Sequence, residues 1–304
     1  MFSLTKKSKA ALFSIGSNTI LIVLKLVAGT ITGSVSLIAE AIHSLMDLVA
    51  AIIAFVSVSV SDRPADKQHQ FGHGKAENVS GVIEGLLILV AAGLIVREAI
   101  HKITAGVSLE LIEVGIAVMG VSLVVNIFVS RYLYKVSRAT DSLALEADAA
   151  HLTTDVMTMA GVFLGLIVVR ITRLNILDPI IAMAVALLIV KAAVDIIRKS
   201  FGGLMDASLP ETEQKVIESC LLAHKDRIVE FHRLRTRKAG SLRQVDLHLV
   251  IPREMHVEVA HNLCDHLETD IEKLLKNAEV NIHVEPCESA CGGCLVSCES
   301  RKKL

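Results

Sequence analysis

The stretch AIHSLMDLVA, residues 41–50, decides the fold class. It lies between SVSLIAE (34–40) and AIIAFVSVSV (51–60), so His43 and Asp47 sit inside one continuous apolar run. A run of that length matches the roughly 20 residues a helix needs to cross the hydrocarbon of a bilayer. Ionisable groups are costly there and face a bundle interior, where they mark ion or substrate paths. Helical residues four apart lie on one face, so His43 and Asp47 present an imidazole and a carboxylate together. The spacing returns in ALEADAAHLTTDVMT (144–158), where His151 and Asp155 occupy another apolar run. Helix-packing hydrogen bonds explain one such pair well and two identical pairs poorly. Two imidazole nitrogens and two carboxylates form a donor set suited to tetrahedral Zn²⁺.

Composition agrees with a membrane protein. The chain has 304 residues, 52% hydrophobic content and no Trp, with a mean hydropathy of +0.57. Soluble domains rarely carry so much apolar surface. The net charge of −1 gives no basis for a nucleic-acid partner. None of the six cysteines precedes Cys220, and four crowd into CESACGGCLVSCES (287–300). That clustering suggests a reducing compartment and metal affinity rather than disulfide stapling. The start, MFSLTKKSKA, reads as the lead-in to a first spanning helix and not as a removed signal peptide.

Six spans are expected, near Ala10–Ile31, Ser34–Ser61, Glu77–Ile100, Leu109–Ser130, Ala144–Ile171 and Ile176–Ile197. Basic residues gather at the start (Lys6, Lys7, Lys9) and in the loops after spans two (Arg63, Lys67, Lys75) and four (Arg131, Lys135, Arg138). By the positive-inside rule both ends are cytoplasmic. After GGLMDASLP (202–210) the chain turns polar. A helix near Glu211–Lys225, strands near Ile228–Thr236 and Leu242–Ile251, a helix near His256–Leu275 and a strand near Glu279–Glu285 give the order αββαβ. The expected fold is therefore a six-helix transmembrane bundle with a C-terminal cytoplasmic α+β, ferredoxin-like or metallochaperone-like domain. The domains are residues 1–207, 208–286 and a Cys-rich tail, 287–304.

Further ligand candidates lie outside the spans. DRPADKQHQFGHGKAE (62–77) offers Asp66, His69 and His73, readable equally as a metal site or as a solvated loop. Alternate residues of a strand share a face. In VNIHVEP (280–286) this sets His283 and Glu285 opposite Val280, Ile282 and Val284; in QVDLHLV (244–250) His248 is on the polar face. His232 falls in the first strand and His261 on the helix, and ordinary surface histidine is the competing reading. The tail cysteines Cys287, Cys291, Cys294 and Cys298, spaced C-x3-C-x2-C-x3-C, suit a soft metal or a plain polar end.

HSLMD, FGHGKAE, HLTTD, GGLMDASLP and HRLRTRKAG occur in that order over nearly the whole chain, up to Pro286. In this the sequence resembles the cation diffusion facilitator transporters, and most closely their bacterial zinc-exporting members. The resemblance implies a transporter and not an enzyme: a homodimer in the bacterial cytoplasmic (inner) membrane, exchanging Zn²⁺ for protons by alternating access. It implies a transport site at His43, Asp47, His151 and Asp155 and a loop site at Asp66, His69 and His73. It also implies regulatory zinc near the cytoplasmic dimer interface, on His232, His248, His261, His283 and Glu285. Lys75 and Asp206 match a charge pair linking the two domains. The best-studied bacterial pattern has Asp where this chain has His43, and Asp where it has Glu285; the Cys tail lies beyond the family core. The short loop after span four lacks the His-rich insert common in eukaryotic relatives. Fe²⁺, Co²⁺ or Cd²⁺ as cargo, and a membrane-anchored metal sensor, are the alternatives.

Overall fold

The computed structural model describes residues 5–32, 35–105, 113–172 and 177–288. It divides into two units, Met1–Phe201 and Gly202–Leu304. The first is built from α1 (Lys6–Thr32), α2 (Val35–Ser61), α3 (Ala76–Ala105), α4 (Glu113–Thr140), α5 (Leu143–Thr172) and α6 (Leu177–Leu204). At 1.5 Å per residue, helices of 27 residues or more reach about 40 Å, longer than the hydrocarbon is thick. Lys6–Ala28, Ala76–His101 and Pro179–Leu204 are, among the described residues, long and apolar enough to cross a membrane.

Six helices appear where six spans are expected, but several run further. α4 continues past Ser130 through RYLYKVSRAT, and α6 past Ile197 to Leu204. Hydropathy registers the apolar part of a helix, whereas backbone hydrogen bonding continues through polar turns. The starts expected at Ser34, Leu109 and Ile176 fall outside the described residues.

The bundle is apolar outside and polar within. Ile20, Val90, Phe128 and Leu187 are exposed, while Asn18, Lys25, Asp47, Glu77, Glu84, Asp148 and His151 are buried. With lipid as the solvent, that distribution is favourable, and buried polar groups then mark function. Ala, Gly and Ser at the contacts let helices approach closely. A Cβ on Gly85 would lie 2.5 Å from Ile197 Cγ1, so the α3 backbone there meets the Ile197 side chain of α6. Fully buried Glu77, at the start of α3, accepts hydrogen bonds from Lys7 Nζ (2.8 Å), Ser61 Oγ (2.9 Å) and Ser142 Oγ (2.6 Å). It thereby ties α1, α2 and the turn before α5 to α3.

The second unit has α7 (Glu211–Ala223), β1 (Glu230–Ala239), β2 (Leu242–Ile251), α8 (Val257–Leu274) and β3 (Ala278–Pro286), the expected order. The sheet runs β1-β2-β3, with β1 antiparallel and β3 parallel to β2. Gly240, at φ +61°, opens the two-residue turn between β1 and β2, a position where hairpins favour positive φ. Val245, Leu247 and Leu249 of β2 pack with Leu263, Leu267 and Ile271 of α8 and Ile217 and Leu221 of α7. The helices therefore cover one sheet face and leave His248 on the other. β1 carries a bulge between His232 and Arg235, with Arg233 at φ +51°.

Candidate metal centres

Three of the four expected intramembrane ligands come together. His151 Nε2 lies 3.2 Å from Asp47 Oδ1, and one ligand atom from each of Asp47, His151 and Asp155 lies within 4.8 Å of the others. Tetrahedral zinc with bonds of about 2.0–2.1 Å has ligand–ligand edges of about 3.3 Å, so the measured pair is already spaced for one ion. α5 supplies two of these side chains from one face by its i,i+4 spacing, and α2 packs beside it. All three are buried, at 5–8% exposure. His151 Nδ1 is buried without a hydrogen-bond partner among the described residues, a cost that native interiors seldom carry unless a site uses it. His43 stands on α2 one turn before Asp47; its side chain lies outside the described residues.

Around this triad are groups that sequence reasoning did not single out. Asn18 Nδ2 donates to the Asp47 carbonyl at 3.4 Å. Lys25 is buried, with Nζ 2.7 Å from Ser44 Oγ, between His43 and Asp47 in the chain. Asp148 is fully buried three residues before His151, and fully buried Glu84 on α3 accepts from Ser80 Oγ at 2.7 Å. Their signal was present, since each is a polar or charged residue inside an apolar run, but none belongs to an i,i+4 His/Asp pair.

The loop residues Asp66, His69 and His73 also converge. Asp66 Oδ1 accepts the backbone N–H groups of His69 (2.7 Å) and Gln68 (2.8 Å). His73 Nε2 lies 3.4 Å from Asp66 Oδ2, and the two imidazole rings are 4.6 Å apart. The His69 and Gln68 amides hold the Asp66 carboxyl below the usual carboxylate range, so it is ionised and ready to ligate. Gly72, at φ +78°, turns the chain between the two histidines.

In the second unit the register aligns His232, His248 and His283 as direct neighbours across three strands. Glu285 sits among them. Its Oε1 is 2.7 Å from His248 Nδ1 and 3.8 Å from His283 Nε2, and its Oε2 is 3.3 Å from His232 Nε2. The hydrogen bond with His248, then the charges of His248, His232 and His283, lower the Glu285 pKa. His232, His248 and Glu285 meet the spacing for one ion. His261 does not join them within a chain. α8 covers the opposite sheet face, and His261 there lies 3.5 Å from Asp265, largely exposed. Asp206 lies 3.6 Å from Arg237, and the Lys75 carbonyl caps the first turn of α3. Cys287 is buried at the end of β3, its N–H donating to the Ile251 carbonyl at 2.9 Å. Cys291, Cys294 and Cys298 lie outside the described residues.

Known proteins resemble the chain over both units. The family described as "Cation efflux transmembrane domain" matches residues 11–205, and "Cation efflux protein, cytoplasmic domain" matches residues 209–287. An uncharacterized transporter of Synechocystis is 37% identical over 278 residues, covering 91% of this chain and 90% of that protein. The cation-efflux pump FieF of Serratia proteamaculans is 32% identical, with 91% and 92% covered. A solved structure of CzrB in its Zn form is 37% identical over 27% of this chain and 92% of that one, with a TM-score of 0.25.

Proposed function

We propose, from the premise that this chain belongs to the cation efflux family and is a divalent cation transporter, that its cargo is Zn²⁺, exported in exchange for protons. The observation that carries this reading is the buried convergence of Asp47, His151 and Asp155, with His43 as the fourth ligand. Nitrogen and carboxylate donors in tetrahedral number favour zinc over Mn²⁺ or Mg²⁺, which prefer all-oxygen octahedral sites.

Proton exchange follows from ligand chemistry. Imidazole and carboxylate hold metal only when deprotonated, so cation and protons compete for the same atoms. An imidazole of ordinary pKa, near 6.5, changes state across the pH differences found over a bacterial membrane. A site facing the less acidic cytosol loads zinc and releases protons. The same site facing a more acidic exterior takes protons and releases zinc. Burial of the triad supports alternating access, because an ion held there reaches either side only when helices move.

The basic residues of the start and of the loops after α2 and α4 favour cytoplasmic termini in a bacterial cytoplasmic membrane. In that orientation Asp66, His69 and His73 lie on the zinc-supplying side. His232, His248, His283 and Glu285 would hold regulatory zinc on the open face of the cytoplasmic sheet. The domain's family description accords with a homodimer in which the partner's surface, His261 included, completes that site.

The test is competitive uptake of Zn²⁺, Co²⁺, Fe²⁺ and Cd²⁺ into proteoliposomes with an imposed pH gradient. Zinc should dominate, and collapsing the gradient should slow its uptake. Equal fluxes of all four metals, or zinc flux indifferent to the gradient, would contradict the proposal. A membrane-anchored sensor would give no flux at all.

A further inference from the structure

A second cluster of ligands lies in the cytoplasmic domain, on its helices rather than its sheet. His224 follows the last residue of α7, and His266 and Asp270 stand four apart on α8. Both imidazoles direct Nε2 at one carboxylate oxygen. His266 Nε2 is 3.4 Å and His224 Nε2 3.9 Å from Asp270 Oδ2, and the three ligand atoms lie within 4.8 Å of one another. The two edges at Asp270, 3.4 and 3.9 Å, are close to the edge of a tetrahedral zinc site, about 3.3 Å. The His224 tautomer is already suited to ligation. Its Nδ1 lies 3.0 Å from the Cys220 carbonyl, which can only accept, so Nδ1 carries a proton and the neutral ring offers its lone pair at Nε2. A backbone carbonyl orienting the far nitrogen is the usual partner of a ligating histidine.

From this geometry we propose that His224, His266 and Asp270 form a separate divalent-metal site, taking Zn²⁺ with a water in the fourth position. Three protein ligands and an open position are a common zinc arrangement. The Cys220 thiol is not among the ligand atoms that lie within 4.8 Å of one another there. Lys273 lies 3.4 Å from Asp270 Oδ1 and is exposed, so it can swing away, and it leaves Oδ2 to the histidines. An ion here would pin the end of α7 to α8, on the face of the domain away from His232, His248 and Glu285. It would strengthen an inter-helix contact instead of bridging strands. The site does not depend on which metal is the cargo.

An i,i+4 histidine–aspartate pair on a helix surface is commonplace without metal, so the test must follow His224, which is not on that helix. The full chain in detergent is treated with diethylpyrocarbonate, with and without Zn²⁺ alone, and each histidine's modification rate is read by peptide mass spectrometry. At zinc about ten times its dissociation constant, His224 and His266 should both slow about tenfold, as mass action requires. Asp270→Asn should remove that protection from both while His248 stays protected, which also reports an intact domain. Should Asp270→Asn disturb the fold, His266→Gln provides the second arm, and His224 should lose protection in it. Overturning results are modification of His224 unaffected by zinc at concentrations that fully protect His248, or protection of His224 that survives both substitutions.

Discussion

The triad in the membrane and the cluster on the cytoplasmic sheet use the same chemistry in opposite surroundings. Asp47, His151 and Asp155 are 5–8% exposed. The side chains of His232 and Glu285 are about one-third exposed, at 34% and 33%. In the bilayer a metal cannot reach its ligands without helix movement, and charged ligands left empty are costly. On the sheet, water reaches the carboxylate, so a metal held there would exchange with solvent without backbone movement. Burial therefore suits a site that must load and discharge through a conformational cycle. Exposure suits one that reports concentration.

The sharpest way to break that comparison is to take charge from the buried site alone. Asp47→Asn keeps an oxygen but loses the anion, and zinc flux should fall more than about a hundredfold, beyond what losing an outer-shell partner costs. Vesicle uptake checks it; flux within a few-fold of wild type would put the cargo elsewhere. His43→Asp comes next. It adds a carboxylate and enlarges the space at the site, which suits the larger Cd²⁺, while zinc tolerates His or carboxylate at nearly equal bond lengths. Zinc flux should persist and cadmium flux rise several-fold in paired uptake. A wild type that already moves both metals equally would remove His43 as the selectivity element.

Effects in the exposed cluster should be smaller in transport and larger in regulation. His232→Ala with His248→Ala should lower cytoplasmic zinc affinity more than about a hundredfold, beyond what losing an outer-shell partner costs, while transport at saturating zinc stays measurable. Metal titration and flux on one preparation separate the two. Smallest is the pH effect of Glu285. Its pKa is lowered from 4.5 in the folded chain, chiefly by the hydrogen bond with His248. The stabilisation it brings is thus complete above about pH 4.5 and is lost as pH falls through the lowered folded value. Glu285→Gln should flatten that acid limb in thermal melts of the cytoplasmic domain's circular dichroism. An unchanged acid limb would mean the His248–Glu285 pair does not persist in solution.

What could be read from sequence was whatever local geometry fixes. Four-residue spacing puts His151 and Asp155 on one helix face wherever the helix goes, and alternation puts His248 opposite Leu247 and Leu249 in any half-buried strand. Tertiary placement was not legible. Asp47 meets His151 only because α2 packs on α5, and Glu84 and Asp148 look like stray charges until burial is seen. His232 is the clearest case. Arg235 pairs with Asp246, and at that register His232 would stand opposite Leu249, on the apolar face. The bulge at Arg233 shifts the pairing by one, so His232 faces His248 instead. A one-residue slip moves a side chain to the other face of a sheet, and nothing in HRLRTRKAG announces it. His261 and the His224–His266–Asp270 group depended likewise on which way α8 faces.

The most direct test of the buried triad as the cargo site measures zinc entry and proton exit together in the same proteoliposomes, for the wild type and for Asp155→Ala. Asp155→Ala should insert, fold and keep its cytoplasmic zinc binding, yet lose both fluxes. Zinc flux at the wild-type rate in Asp155→Ala, with or without coupled protons, would contradict the account.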